Sequence, residues 1–399
     1  MTDNDPGRMD LPLLRDALEA VRSDRPEAAA EALGRAFDVE DGAALLHSES
    51  RLLALAEERL FASDWPAAHA LHEILHALGR TAHEWLRTRL DWRVRHLPRF
   101  RATFEAQPAL ARLGTVLAAR LGRPVTSVAS TRLRPGYIGV ALFRHEVAFA
   151  DGGAPLVLIE KVMSDERRDR RRIDHEHLLF TNVPPARLLA PAYFGTVADG
   201  PFVSVLSGFA EGDPLPLDRW VATHGELLHH YWAIAPEGAL LRGPNVAENY
   251  RARLRDVIAR QLPREVTDRL RGVTAEDASI ALARRFTAIS DTIDAMPLFV
   301  LHDDLHCGNI LVDGQGGMSV IDWDNWALAP LGSGWRFHTT EDEVPAPDLA
   351  RLHAARPLPP GVMPRDILLM AALWGHHKAL RDGKHELAAR WLEKILRFG

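Results

Sequence analysis

The stretch Leu301-His302-Asp303-Asp304-Leu305-His306-Cys307-Gly308-Asn309-Ile310-Leu311, followed by Val320-Ile321-Asp322-Trp323-Asp324, is the most informative part of the chain. Its pattern is H-x-D-x-x-x-x-N, and thirteen residues after the asparagine an aspartate ends a short apolar run. Phosphoryl transfer needs this set of groups. One carboxylate aligns or deprotonates the attacking hydroxyl, while an amide oxygen and a second carboxylate hold Mg²⁺ against the phosphates. The spacing lets Asp304 and Asn309 converge from one tight turn. Asp322 comes in from the neighbouring hairpin strand, with Asp313-Gly-Gln-Gly-Gly as the turn. A lone H-x-D usually marks a hydrogen-bonded pair in a loop, whereas the complete string with its strand-borne aspartate is much harder to obtain by accident.

Outward from this loop, two short strands are expected at Leu298-Phe-Val-Leu and Met318-Ser-Val-Ile, within a region that reads as helical from residue 217 onward. Upstream, Val125-Thr-Ser-Val-Ala-Ser-Thr-Arg-Leu, Ile138-Gly-Val-Ala-Leu-Phe, Leu156-Val-Leu-Ile-Glu-Lys-Val and Phe202-Val-Ser-Val-Leu look like strands between Gly and Pro turns. One helix, about 168 to 181, interrupts them. The first 110 or so residues carry apolar positions at three- and four-residue steps, rich in Ala and Leu, and read as helices without a sustained repeat. Asp64-Trp-Pro-Ala has the form of a capped helix start. The layout is α+β: a helical extension, a small sheet with one helix, then a large helical part.

His302 to Asn309, with Ile321-Asp-Trp-Asp, resembles the Brenner-type motif of aminoglycoside phosphotransferases and their relatives, the choline, fructosamine, homoserine-type and macrolide kinases. That family usually reads H-G-D-L-H-x-G-N with a later D-W-D or D-F-E. This chain has Asp303 where glycine is usual and Cys307 where proline is usual, both at positions the chemistry does not name. The resemblance covers about residues 122 to 395. It implies a two-lobed protein-kinase-like fold, with a small antiparallel-sheet N-lobe over 119–210 and a helical C-lobe over 211–399. An all-α extension over 1–118 precedes it.

The resemblance also implies a strand lysine and a helix glutamate upstream. Lys161 ends the apolar strand Leu156-Val-Leu-Ile-Glu, and it is one of only four lysines against 44 arginines. Its implied role is to bridge the nucleotide phosphates as a point charge. Glu176 is its best partner, on one helix face with Ile173 and Phe180; Asp174 and Glu166 are rivals, and Glu160 should point to the opposite face of the strand. Phe202 to Leu215 resembles the family's hinge strand and its x-G-x-P-L turn, so that backbone around Leu206 to Phe209 would meet the purine edge. Arg134-Pro-Gly136-Tyr-Ile-Gly139 reads equally as a loop over the phosphates or as a plain hairpin turn.

Composition bounds the alternatives. The chain has 399 residues, 47% of them hydrophobic and 26% charged, and a net charge of −6. These values exclude wholesale disorder and give no global pull toward nucleic acid or membrane. No apolar run approaches a membrane span, and Met1-Thr-Asp-Asn-Asp-Pro lacks the layout of a secretory signal, so a cytoplasmic location is expected. A single cysteine, Cys307, excludes an intramolecular disulfide and reads as a small apolar filler. His72-Glu73-Ile-Leu-His76 is a literal H-E-x-x-H, but its third histidine, His83, stands one residue too far from Gly79; an ordinary helix is the preferred reading. The arginine run 166–172 and the aromatic, arginine-rich segment 83–105 read as charged helix faces. Glu341-Asp-Glu343 reads as an ordinary acidic surface loop, with attraction of a cationic substrate as the alternative.

The expectation is therefore a Mg·ATP-dependent phosphotransferase acting on a hydroxyl of a small molecule of the amino sugar, sugar or amino alcohol class. Asp304 and His302 are the catalytic pair, with His302 bracing the loop. Asn309 and Asp322 hold Mg²⁺, while Lys161, Glu176 and the backbone of Leu206 serve ATP. A nucleotide- or partner-binding module, with a protein partner on the N-terminal helices, and a protein kinase are the alternatives.

Overall fold

Alanine- and leucine-rich segments form the first seven helices, and Asp41, Ser48 and Asp64 cap the starts of the third, fourth and fifth. The seven are α1 (Leu11–Arg22), α2 (Pro26–Phe37), α3 (Gly42–His47), α4 (Glu49–Phe61), α5 (Trp65–Ala77), α6 (Glu84–Phe100) and α7 (Ala109–Leu121). In this computed structural model the described residues are 11–62, 64–80, 84–134, 139–242, 246–261, 275–334, 358–381 and 383–398. The Asp64 carboxylate caps α5 by accepting from the Ala67 N–H at 3.4 Å, as the sequence indicated. The first five helices bury a core of small side chains that includes Leu14, Ala17, Leu33, Leu52, Ala56 and Leu71.

Two compact units divide the chain. One comprises residues 1–170 and 194–209, the other 171–193 and 210–399.

The first unit joins the helical extension to a five-stranded sheet of order β1-β2-β3-β5-β4. Its strands are β1 (Val125–Leu133), β2 (Ala141–Phe149), β3 (Leu156–Ser164), β4 (Tyr193–Asp199) and β5 (Phe202–Gly208), with the pairs β1–β2, β2–β3 and β3–β5 antiparallel. Trp65, Leu86, Leu90 and Phe100 of the extension share a core with Phe143, Val162 and Phe202 of the sheet. Leu113 and Leu117 of α7 share another with Val147, Leu158 and Leu206.

The second strand differs from expectation: it starts three residues later and runs six further, to Phe149. Alternation continues through Arg144-His145-Glu146-Val147, but one inward position is a histidine, which masks the apolar period. Strand β4 was not anticipated at all. It lies at the edge of the sheet, where partial exposure leaves little alternation to read.

Helix α8 (Arg167–Asn182) follows β3. The second unit holds its later part together with the short strand β6 (Asp213–Pro214), α9 (Leu217–Tyr231), α10 (Ala239–Arg242), α11 (Val246–Asp256) and α12 (Ala275–Ala295). Then come β7 (Leu298–His302), β8 (Ile310–Val312), β9 (Met318–Val320), β10 (Trp326–Pro330), α13 (Pro364–Arg381) and α14 (His385–Phe398). Strands β8 and β9 form the expected hairpin, with Ile310 opposite Val320 and β6 on its outer side. Strand β10 pairs antiparallel with β7 and sets Trp326 opposite His302. The core of this unit includes Tyr231, Ile289, Phe299, Leu301, Trp323 and Trp374.

Gly212 is in a conformation only glycine takes readily, with φ +128°, and a Cβ there would lie 2.4 Å from the Val312 carbonyl oxygen. It lets the chain after β5 pass directly over the hairpin. The α+β class, the helical extension of about 120 residues and the antiparallel sheet are as expected.

Candidate active site

Strand β7 delivers His302 at its end, and the chain then turns through Asp303 and Asp304. His302 is 2% exposed, and both of its ring nitrogens are used. Nε2 donates to the Ile321 carbonyl at 2.9 Å, and Nδ1 accepts from the Asp304 N–H at 3.3 Å. The ring also packs against Trp323, with centroids 4.6 Å apart. Only the neutral Nε2–H tautomer satisfies both bonds. Burial pushes the His302 imidazole below its usual value, although the Ile321 carbonyl and the carboxylates of Asp322, Asp304 and Asp324 act in the opposite sense.

The loop closes on itself through a short 3₁₀ turn, Cys307–Asn309, capped by the His306 ring, which accepts from the Gly308 N–H at 3.1 Å. Asn309 is 7% exposed, and its Nδ2 donates to the Asp304 carbonyl at 2.9 Å. With the amide nitrogen so engaged, the Oδ1 is what Asn309 can offer a cation. The Asn309 carbonyl in turn accepts from the Ile321 N–H at 3.0 Å, which joins the loop to the residue before Asp322.

Asp322 itself is left-handed, with φ +64° and ψ +53°. A non-glycine residue in this region is uncommon, and such backbone is frequent at functional sites. It turns the chain from β9 into the 3₁₀ turn Trp323–Asn325. Thus one hairpin with its flanking turns brings His302, Asp304, Asn309 and Asp322 together, as the spacing predicts.

The later part of α8 is fixed to the segment that follows Asp322. The Trp326 indole donates to the His175 carbonyl at 2.7 Å, and the two rings stack at 4.3 Å. Arg172 lies 3.5 Å from Asp324, which is 3% exposed. Glu176, 8% exposed, sits one residue beyond His175 on the same helix.

Lys161 lies in β3, opposite Leu142 of β2 and Val205 of β5, and is half-buried. Its neighbour Glu160 points to the other face, as strand alternation requires. Glu160 is fully buried and receives bonds from Arg112 of α7, from the Ser204 hydroxyl and from His145 Nε2 at 2.9 Å. Burial by itself would raise this carboxyl; the His145 and Arg112 hydrogen bonds, the Arg112 charge and the Ser204 hydroxyl overcome it and hold the group at about 2. Leu206 is opposite Glu160 on β5, its side chain in the sheet core, and Phe209 N–H is taken by the Val157 carbonyl at 3.1 Å.

Within the same unit Arg93 of α6, buried, donates to the Gly139 carbonyl at 2.8 Å at the end of the 134–139 segment. Positions 135–138 of that segment, with Gly136, lie outside the described residues, as do His83 and Glu341-Asp-Glu343.

The Glu73 carboxylate is held by Arg22 at 2.9 Å and Arg87 at 2.8 Å, and His72 is buried in α5. Among the described residues no group of three or more His, Cys, Asp or Glu side chains could hold a metal. One carboxylate and one amide oxygen suit Mg²⁺, which takes few protein ligands and completes its shell with phosphates and water. Among the described residues no helix is long and apolar enough to cross a membrane.

Sequence reasoning missed the partners of Asp303. Its carboxylate accepts from the Tyr250 hydroxyl and from Lys378 Nζ, the latter at 2.8 Å. The available signal was the scarcity of lysine, which marked Lys378 as it marked Lys161.

Residues 199–366 match the model of the APH phosphotransferase enzyme family, and this span contains the whole of the loop and hairpin just described. The match agrees with the resemblance read from the motif. No curated protein matches the chain.

Among solved structures, the chain is similar to a thermostable mutant of aminoglycoside phosphotransferase APH(4)-Ia in ternary complex with ADP and hygromycin B. Identity is 16%, coverage 72% of this chain and 98% of that one, and the TM-score 0.37. It is also similar to macrolide 2′-phosphotransferase MphH from Brachybacterium faecium (18% identity, 70% and 96% coverage, TM-score 0.36). A third is a putative fructosamine-3-kinase from Haemophilus somnus 129PT (11%, 72% and 97%, TM-score 0.40).

Proposed function

We propose that this protein transfers the γ-phosphoryl group of Mg·ATP to a hydroxyl of a small molecule of the amino sugar, sugar or amino alcohol class. The observation that carries the reading is the Asn309 Nδ2 bond to the Asp304 carbonyl. It sets an acceptor-aligning carboxylate and an amide oxygen in one turn, with Asp322 on the adjoining strand end.

In this reading Asp304 aligns the acceptor hydroxyl and takes up its proton late in a loose transition state, so positioning outweighs basicity. His302 holds the Asp304 backbone from behind. Asn309 and Asp322 offer oxygen donors to Mg²⁺, which when bound offsets the charge on the phosphates. Lys161 contributes a compact positive charge to the phosphates, with Glu176 as its partner, and the stretch after Leu206 meets the purine. Residues 119–210 then serve the nucleotide, and 211–399 the catalytic loop and the acceptor.

The test compares Asp304→Ala with Asp322→Ala. Mg·ATP at 100 times its Kd should stabilise the wild type by about 2.7 kcal/mol in a thermal titration. Asp304→Ala should keep that shift while losing roughly 10²–10⁴-fold in turnover. Asp322→Ala should lose the shift itself, and equal binding by the two variants would reject the assignment.

A further inference from the structure

We infer that Asp303, the residue before the proposed catalytic aspartate, is a positioning residue: Lys378 and Tyr250 grip its carboxylate and tie the catalytic loop to helices α13 and α11. The inference rests on the phosphotransferase reading above.

Both carboxylate oxygens are engaged. Oδ1 accepts from the Tyr250 hydroxyl and Oδ2 from Lys378 Nζ at 2.8 Å. Tyr250 is itself held by the Trp374 indole, which donates to its hydroxyl oxygen at 3.0 Å. Lys378 is 6% exposed, and its ammonium lies 5.1 Å from the centre of the Trp374 ring. Burial first, then the Asp303 charge, raise the Tyr250 phenol well above its usual value, so it remains a donor. On the backbone side, the Asp303 N–H donates to the Asn325 carbonyl at 3.3 Å. With its carboxylate and its amide both fixed, Asp303 has no freedom to rotate.

The next peptide belongs to Asp304, whose N–H and carbonyl are held by His302 and Asn309. Fixing Asp303 therefore completes the clamp that aims the Asp304 side chain. Charge supplies a second reason. Asp303 adjoins Asp304 in sequence, and Asp322 and Asp324 also lie within electrostatic reach of His302. An uncompensated carboxylate here would raise the proton affinity of its neighbours and compete for the cation. The Lys378 ammonium cancels it. A compact point charge fits this slot beside the Trp374 ring, which accounts for a lysine in a chain that otherwise uses arginine. Glycine, usual in the family at this position, could make neither of the two carboxylate contacts.

The test follows ADP release from Mg·ATP with water as acceptor, expressed per nucleotide-binding site, in the full-length protein. Lys378→Met is expected to lower kcat by about 10-fold or more, because it frees Asp303 and leaves its charge uncompensated. The KM for Mg·ATP should stay within about twofold, since the nucleotide contacts are elsewhere. The double variant Asp303→Asn/Lys378→Met restores the charge balance and should be less impaired than the product of its two single variants. Tyr250→Phe keeps the ring and removes the hydroxyl's two bonds, to Asp303 and from Trp374, so it covers the case in which Lys378→Met does not fold; its kcat should fall at unchanged KM.

Single variants with wild-type kcat, multiplicative losses in the double, or a loss confined to KM would each overturn the inference. A wild type that binds Mg·ATP but releases no ADP, either with water or with a panel of amino sugar, sugar and amino alcohol acceptors, would instead remove the phosphotransferase reading, and this inference with it.

Discussion

Arg112, on the last helix before the sheet, closes both terminal nitrogens of its guanidinium on Glu160, the residue next to Lys161 on β3. Arg112 is 6% exposed at its side chain and Glu160 not at all. The helical extension therefore reaches through the sheet's covered face to the strand that carries the proposed phosphate lysine. Removing one partner of a buried, hydrogen-bonded pair leaves the other charge uncompensated. Arg112→Met is expected to destabilise the protein by about 3–5 kcal/mol, measured by urea denaturation. A change below about 1 kcal/mol would mean that the pair behaves like an exposed one.

The same carboxylate makes stability depend on acid. Glu160 has its ordinary value near 4.5 in the unfolded chain and about 2 in the folded one. Between those values the unfolded state binds more protons, so stability rises with pH across the window. Unfolding free energy should fall as pH drops from about 4.5 toward 2, and Glu160→Gln should flatten that slope in denaturation curves taken across the range.

His302 sets a second pH limit, on turnover. Its Nδ1 accepts from the Asp304 N–H, and protonation would place a second donor on that line. Because burial lowers its value from the ordinary 6.5, the ring stays neutral at pH 7 and charges only below 6.5. The kcat for ADP release should be flat above that point and decline below it as the loop loses its brace. The same protonation destabilises the fold, because the unfolded chain takes up the proton first. His302→Asn should lower kcat and remove this limb from the pH profile; a limb that survives would assign it elsewhere.

Asn309 has two separable duties, a metal-facing oxygen and a loop-closing Nδ2–H. Asn309→Asp keeps an oxygen donor but deletes the bond to the Asp304 carbonyl. Mg·ATP binding should persist in a thermal titration while kcat drops by as much as about 100-fold, the effect of a small misplacement of a reacting group. Equal losses in binding and turnover would show that the two duties cannot be separated.

Much of this site is legible along the chain because it is local. His302, Asp304 and Asn309 lie within one turn, and Asp322 within one hairpin, so spacing alone brings them together. Glu160 and Lys161 are neighbours on a strand, and alternation sends them to opposite faces whatever the rest of the fold does. The capped start of α5 was readable for the same reason. Strand β10 was not, since Trp326-Ala-Leu-Ala-Pro is a buried apolar run whose partner, β7, lies in an earlier element. Nor was the course of β2, where a buried histidine occupies a position that usually holds an apolar side chain.

The amino-acid sequence by itself determined the α+β order of elements, the loop that sets Asp304 beside Asn309, and the face on which Lys161 stands. Each follows from backbone geometry over a few residues. Tertiary structure alone decided what surrounds them: Arg112 on Glu160, 48 residues apart, and Lys378 and Tyr250 on Asp303, 75 and 53 residues away. A charged residue in a one-dimensional string carries no sign of whether it will be solvated or buried, and so none of which distant partner it will need. Burial settles that only once the helices have packed, when each charge removed from water must find a partner or remain too costly to keep.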